Sequence, residues 1–275
     1  MKNNIKNNIK KEKNRKESII EGNNINFKYG DTEILKNINL DIKEGNFISI
    51  IGPNGSGKTT LLKKFLKILN VKKNEILYLN KDLLSYSNIE FAKMASYVPQ
   101  FGEQNIFFSV EDVVMFGRNP YLKRFQEESI DDKKIVEDVM KLTGVWEFRD
   151  KYITELSGGE LQRVIIARVL AQESKVIFLD EPISHLDIHY QIEILKILNK
   201  VKKDKSITIV AVLHDLNMAI EYSDKIVMLN NGIVEKYGDI DEVITKELIK
   251  KVYKINFEIL THPKTGKKYF LPDYK

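Results

Sequence analysis

The stretch FISIIGPNGSGKTTLLKKFLKIL, residues 47–69, constrains the fold more than any other part of the chain. Its first five residues read as a short buried strand, and apolar residues at 61, 62, 65, 66 and 69 mark one face of a helix extending to Leu69. Between them lies a glycine-rich loop. A strand that runs through such a loop into a helix turns backbone N–H groups inward, at the helix end that favours negative charge. Gly52–Thr59 fits G-x-x-x-x-G-K-[ST], the phosphate-cradling pattern, in the strand-to-helix context it requires. Gly52, Pro53, Asn54, Gly55, Ser56, Gly57, Lys58, Thr59 and Thr60 are therefore expected to hold a nucleotide's phosphates. Lys58 would supply a point charge at the β and γ positions, and the Thr59 hydroxyl would be a ligand of Mg²⁺.

A second strand supplies the complement to that loop. VIFLDEP, Val176 to Pro182, is an apolar strand that delivers two adjacent carboxylates at its C-terminal end, the edge where open α/β sheets bind ligands. Asp180 is placed to hold Mg²⁺, and Glu181 to orient or deprotonate a water attacking the γ-phosphate. Further strands, ITIVAVL and KIVMLNNG, alternate with helical patterns, so a mostly parallel sheet covered on both faces is expected. The section from about Phe101 to Thr154 has charged helical patterns and few strand signals, and reads as a helical insertion.

Composition narrows the class. The longest apolar candidate, Ile207 to Leu213, is far short of the roughly 18 residues that span a bilayer. There is no cysteine, hence no disulfide or thiolate metal site, and a soluble cytosolic protein is the expectation. The net charge of +5 lies wholly in residues 1–18, which hold seven Lys/Arg and two Glu. That Asn/Lys-rich tail cannot bury enough surface to offset its ordering entropy and is read as disordered, and no nucleic acid partner is expected.

Phosphate loop and strand-end acids alone leave small GTPases, nucleotide kinases and transport ATPases open. A guanine-specific N-K-x-D is missing, and LSGGE at Leu156 to Glu160 is decisive. With Tyr29, the phosphate loop, Gln100 in YVPQ, Asp180 and Glu181, SHLD at Ser184 to Asp187, and His214 in VLHD, it resembles the nucleotide-binding subunit of ABC transporters over residues 22–275. The resemblance implies an ATP-hydrolysing, Mg²⁺-dependent phosphate-loop NTPase of α/β class. Its cassette would span residues 19–275, with a mostly parallel core sheet, an antiparallel β subdomain and a helical subdomain inserted at about residues 101–170.

The resemblance also implies roles. Two subunits would pack head to tail as a homodimer, and Ser157, Gly158 and Gly159 of one would meet the γ-phosphate held by the other. Physically this is sound, because a helix start carries unsatisfied donors and partial positive charge, while Ser157 and Glu160 also have capping-box spacing. Tyr29 would stack on adenine, Gln100 would sense Mg²⁺ and the attacking water, His214 would contact the γ-phosphate, and Asp187 would help link the two sites.

His185 and His189 have zinc-like spacing but no third ligand follows, so no zinc site is expected there. His185 instead resembles the iron-siderophore, haem and vitamin B12 importer branch, as do HLDIHYQIEIL, GRNPY at Gly117 to Tyr121, HDLNMA at His214 to Ala219, and HPKTGKKYFLP near the C-terminus. That branch implies membrane permease partners, an extracytoplasmic binding protein, and a peripheral place on the cytoplasmic face of the membrane. The segment after Gln100 is expected to meet the permease, with Phe101, Phe107 and Phe108 partly in the core and Glu103 and Gln104 in the loop.

Overall fold

A computed structural model describes residues 17–100, 107–123, 126–264 and 266–273. The chain opens with a long hairpin, β1 (Ser18–Tyr29) and β2 (Thr32–Lys43), then β3 (Phe47–Ile51), α1 (Lys58–Phe65), β4 (Ile76–Tyr78), β5 (Lys81–Asp82), α2 (Asn88–Met94) and β6 (Ala95–Val98). Helices α3 (Val110–Met115), α4 (Ile130–Leu142) and α5 (Gly158–Ala171) precede β7 (Val176–Asp180), α6 (Ile188–Lys205), β8 (Thr208–Val212), α7 (Leu216–Tyr222), β9 (Lys225–Asn230) and β10 (Ile233–Gly238). The short helices α8 (Ile240–Val243) and α9 (Lys246–Tyr253) lead to a closing hairpin, β11 (Phe257–Thr261) and β12 (Lys268–Pro272).

The main sheet has six strands in the order β10-β9-β3-β8-β7-β6, parallel throughout except where β10 turns back on β9. Its central strands β3, β7, β8 and β9 are mostly apolar on both faces because both faces are covered. Phe47 and Ile51, Ile177 and Leu179, Ile209 and Ala211, and Ile226 and Met228 join the core beneath α5 and α6. The intervening Ile48 and Ile50, Val176 and Phe178, Val210 and Val212, and Val227 and Leu229 join a second core shared with α1 and the antiparallel sheet β2-β1-β4-β5. The fold is the expected α/β cassette, with a parallel centre, an antiparallel sheet and a helical region between β6 and β7.

Each helix of that region starts by the same local chemistry. Ser109, Ser129 and Ser157 are N-caps whose side chains accept the N–H of Asp112, Asp132 and Glu160, and each acid reaches back to the serine N–H. Two orphan donors are satisfied at each start.

The structure corrects three expectations. The helix after the phosphate loop stops at Phe65, because Lys67 turns left-handed and the N–H groups of Ile68 and Leu69 return to the Lys63 carbonyl. Phe107 and Phe108 are not core residues, being 78% and 41% exposed, with rings edge-on to Tyr152 and Phe116. Ser18 belongs to β1, where its hydroxyl donates to Asp41 at 2.6 Å, so the last residue of the stretch read as tail is in the sheet. Phe101, Glu103 and Gln104 lie outside the described residues.

Candidate active site

The phosphate loop is shaped by contacts with two distant backbone segments. Gly52, Gly55 and Gly57 have φ of 152°, 76° and 101°, a region that favours glycine. A Cβ at Gly52 would stand 2.0 Å from the Leu229 carbonyl oxygen, and one at Gly57 would stand 3.1 Å from that of Ile34. Beyond them the turn between β9 and β10, Asn231 and Gly232 with φ of 47° and 81°, is a two-residue hairpin turn. Its Gly232 N–H donates to the Ser56 carbonyl at 3.1 Å, and its carbonyl accepts from the Lys36 N–H at 2.8 Å. The loop is thus held between the β2 and β9 edges.

The Lys58 ammonium is buried and donates to the carbonyls of Gly52 and Pro53 at 2.9 and 3.0 Å. Burial pulls its pKa down, opposed by the charges of Glu181 and Asp180. Thr59 Oγ1 donates to Asp180 Oδ1 at 2.9 Å, and the Tyr97 hydroxyl donates to Asp180 Oδ2 at 3.2 Å. Asp180 is raised above the ordinary aspartate value by burial, which those two donors resist and the neighbouring Glu181 reinforces.

Glu181 sits in the left-handed region at φ 55°, directly after β7. Its Oε1 lies 2.6 Å from His214 Nε2, and its Oε2 accepts from Gln100 Nε2 at 3.1 Å and from the Ser184 hydroxyl at 3.2 Å. Burial works to raise this carboxyl, but the His214 hydrogen bond and charge, the Ser184 donor and Lys58 outweigh it and hold it below the ordinary glutamate value. A cleft of about 770 Å³ opens here, lined by Asn54, Lys58, Gln100, Glu181, His185 and His214 among others.

The sequence-expected residues therefore fall into two groups. Asn54, Gly55, Gly57, Lys58, Thr59, Thr60, Gln100, Glu181 and His214 line one cleft, with Asp180 buried behind Thr59, while Tyr29, Ser157, Gly158, Gly159 and Asp187 are not among its lining. Tyr29 is half exposed and edge-on to Phe27. Ser157 caps α5, with its hydroxyl donating to Glu160 Oε2 at 2.7 Å; that hydrogen bond leads the effects holding Glu160 below its ordinary value. Gly158 faces open space, whereas a Cβ on Gly159 would lie 2.6 Å from the Tyr190 ring. Asp187 caps α6 by accepting the Tyr190 N–H. Tyr97 and Ser184, which hold the two acids, stand inside YVPQ and SHLD, but the sequence alone gives neither a role.

A phosphate loop after β3 of a parallel sheet, with paired acids at the end of β7 one strand beyond its neighbour β8, defines a phosphate-loop NTPase. The family model described as ABC transporter matches residues 35–184, and the chain belongs to that family as an ATP-binding subunit with ATPase activity. It is 43% identical over 238 residues to the uncharacterized ABC transporter ATP-binding protein MJ0089 of Methanocaldococcus jannaschii, across 86% of this chain and 92% of that one. It is 36% identical over 239 residues to the iron(3+)-hydroxamate import ATP-binding protein FhuC of Bacillus subtilis, across 87% and 89% of the two chains. Among solved structures, the dimeric bacterial ABC transporter cassette MJ0796 superposes with a TM-score of 0.69 at 30% identity, across 80% of this chain and 98% of that one. No helix among the described residues is long and apolar enough to cross a membrane.

Proposed function

We propose that the chain energises an importer of iron chelates, of siderophore, haem or corrinoid type. It works as a head-to-tail homodimer at the cytoplasmic face of the membrane, on a separate permease supplied by an extracytoplasmic binding protein. The cassette runs from Ser18, where β1 starts, to residue 275, with its helical insert at about 101–170. The observation that carries the hydrolytic reading is the convergence of Glu181 with Gln100, His214 and the phosphate loop in one cleft. The import reading rests on the likeness to FhuC and on HLDIHYQIEIL, GRNPY and HDLNMA.

The roles follow from the chemistry of each group. The loop N–H groups between residues 54 and 60 and the Lys58 ammonium bind the phosphates, with Lys58 exchanging loop carbonyls for phosphate oxygens. Thr59, Asp180 and Gln100 present only oxygen ligands to a cation, a donor set that suits Mg²⁺. That ion neutralises charge on the β and γ oxygens when bound. Glu181, kept ionised by His214 and Ser184, orients the attacking water and receives its proton. His214 turns toward the γ-phosphate as Glu181 engages the water. Tyr29 stacks on adenine, and the partner supplies its Ser157, Gly158 and Gly159, with Asp187 linking the two sites. The exposed rings of Phe107 and Phe108 belong to the surface that meets the permease.

Uptake of labelled ferric siderophore, haem and cobalamin by cells lacking the gene tests the cargo. Loss of at least one uptake, restored by an intact copy, is expected. Normal uptake of all three, with no redundant ATPase, overturns the import reading and leaves the ATPase assignment intact.

A further inference from the structure

GRNPY has a structural role that none of the assignments above uses. It folds as a short 3₁₀ segment, Phe116–Tyr121, laid across the C-terminal end of α5. Gly117 permits this, because a Cβ there would stand 2.2 Å from the Arg168 carbonyl oxygen. The contact places Arg118, 5% exposed, at the last turn of α5.

Arg118 ties three elements together. Its Nη1 donates to the Ala171 carbonyl, the end of α5, at 2.7 Å, and to Glu173 at 3.0 Å. Its Nε donates to Asp132 Oδ1 at 2.8 Å, in the first turn of α4. Its guanidinium lies 4.1 Å from the Tyr121 ring centre, and the Tyr121 hydroxyl donates to the Gln172 carbonyl at 3.1 Å. Gln172 in turn donates through Nε2 to the carbonyls of Ala92 and Ala95, where the chain enters β6. The end of α5 is therefore the joint at which the helical region meets the parallel sheet.

At the opposite end of the same helix stands Ser157. Fourteen helical residues make a lever of roughly 21 Å, so a tilt of about 10° at the joint moves the serine by roughly 3–4 Å, more than a hydrogen bond length. A cation also suits the unsatisfied carbonyls of a helix end. The planar guanidinium satisfies Asp132, Ala171 and Glu173 along fixed directions, which a lysine ammonium does not reproduce.

We propose that Arg118 is a positioning residue for ATP hydrolysis. By clamping the C-terminal end of α5 to α4, it sets the angle at which Ser157, Gly158 and Gly159 reach the nucleotide on the opposite subunit. This rests on the head-to-tail arrangement proposed above. A substitution at Arg118 therefore harms the partner's site and spares the nucleotide pocket of its own chain.

The test uses two full-length chains joined by a linker, both carrying Glu181→Gln, with Lys58→Ala in one half so that a single ATP pocket remains. Release of labelled ATP from that pocket is measured with Arg118→Lys placed in either half. With Arg118→Lys beside Lys58→Ala, the altered helix faces the occupied pocket, and release about tenfold faster is expected. In the other half, release should match the parent. Asp132→Asn, which retains a side chain able to cap α4, should reproduce the dependence and serves if the lysine variant fails to fold. Equal effects in both placements, or none, overturn the proposal. Ser157→Arg in the same two placements is the control. If it shows the dependence and Arg118→Lys does not, only the role of Arg118 falls; if Ser157→Arg shows none, the head-to-tail reading falls and takes the role of Arg118 with it.

Discussion

His214 Nε2 lies 2.6 Å from Glu181 Oε1, joining the second residue after β8 to the acid that follows β7. With Gln100 and Ser184 on Oε2, both carboxylate oxygens are engaged. These three contacts leave Oε1 with a lone pair to accept a proton from water. Glu181→Gln should keep Mg·ATP binding within about twofold and lower turnover by about a hundredfold or more, because the amide cannot accept that proton. Steady-state hydrolysis and equilibrium nucleotide binding check both halves. Turnover within about threefold of the parent would remove Glu181 from the reaction.

The two glycines of the signature should behave differently. Gly159→Ala forces a Cβ into the Tyr190 ring, so folding stability should fall by roughly 1–3 kcal/mol from overpacking, with the melting temperature and hydrolysis lowered together. Gly158→Ala adds a methyl group to open space and should leave melting nearly unchanged while slowing hydrolysis. Thermal denaturation beside ATPase rates separates a packing defect from an interface defect. Unchanged hydrolysis in Gly158→Ala would count against contact with a partner's nucleotide.

Tyr97→Phe removes one of two protein donors that resist the upward push of burial on Asp180. The Mg²⁺ concentration for half-maximal hydrolysis should rise about fivefold, the loss expected for one hydrogen bond of about 1 kcal/mol. The maximal rate at saturating Mg²⁺ should change little. A titration of rate against Mg²⁺ at fixed ATP reads both quantities.

Asp132 offers a pH test. The Ser129 hydrogen bond leads the effects that hold it below its ordinary value, with Arg118 assisting and burial opposing. A carboxylate depressed in the folded state stabilises above its unfolded pKa of 3.8, and that contribution disappears as pH falls through the lower folded value. Wild type should therefore exceed Asp132→Asn in stability at pH 6, and the gap should close below pH 3.8. Denaturant unfolding at several pH values measures it. A gap that persists undiminished in acid would mean packing, not charge, accounts for the difference.

What could be read from the chain was whatever is written in contiguous residues. The loop at Gly52–Thr60 and the acids at Asp180 and Glu181 are each a strand end plus a turn, so their local pattern carries their placement. The end of α1 is different. Apolar periodicity continues to Leu69, but the buried Lys64 ammonium donates to Glu75 at 2.7 Å and to the Asn70 carbonyl, and the chain turns away. That pairing is tertiary, and no periodicity reports it. The closing hairpin escaped for the same reason, since β12 is secured to α7 by Asn217 accepting the Phe270 N–H at 2.8 Å. Phe107 and Phe108 misled because an aromatic side chain is ordinarily a core signal, whereas here the rings pack edge-on against Tyr152 and Phe116 at the surface.

The stacking of Gly232 between Ile34 and Ser56 has a genetic consequence. Any side chain there would meet the Ile34 carbonyl oxygen at 2.2 Å and could relieve the clash only by shifting the backbone that supports Ser56. A random-mutation screen for failure to retain nucleotide would thus recover changes in a hairpin turn far along the chain, outside the 35–184 span matched by the family. Such alleles would pass for long-range communication, although the damage travels through one hydrogen bond. Second-site suppressors should then arise in the β2 edge at Ile34 to Lys36, which can yield, and not in the loop itself, which has no room to do so.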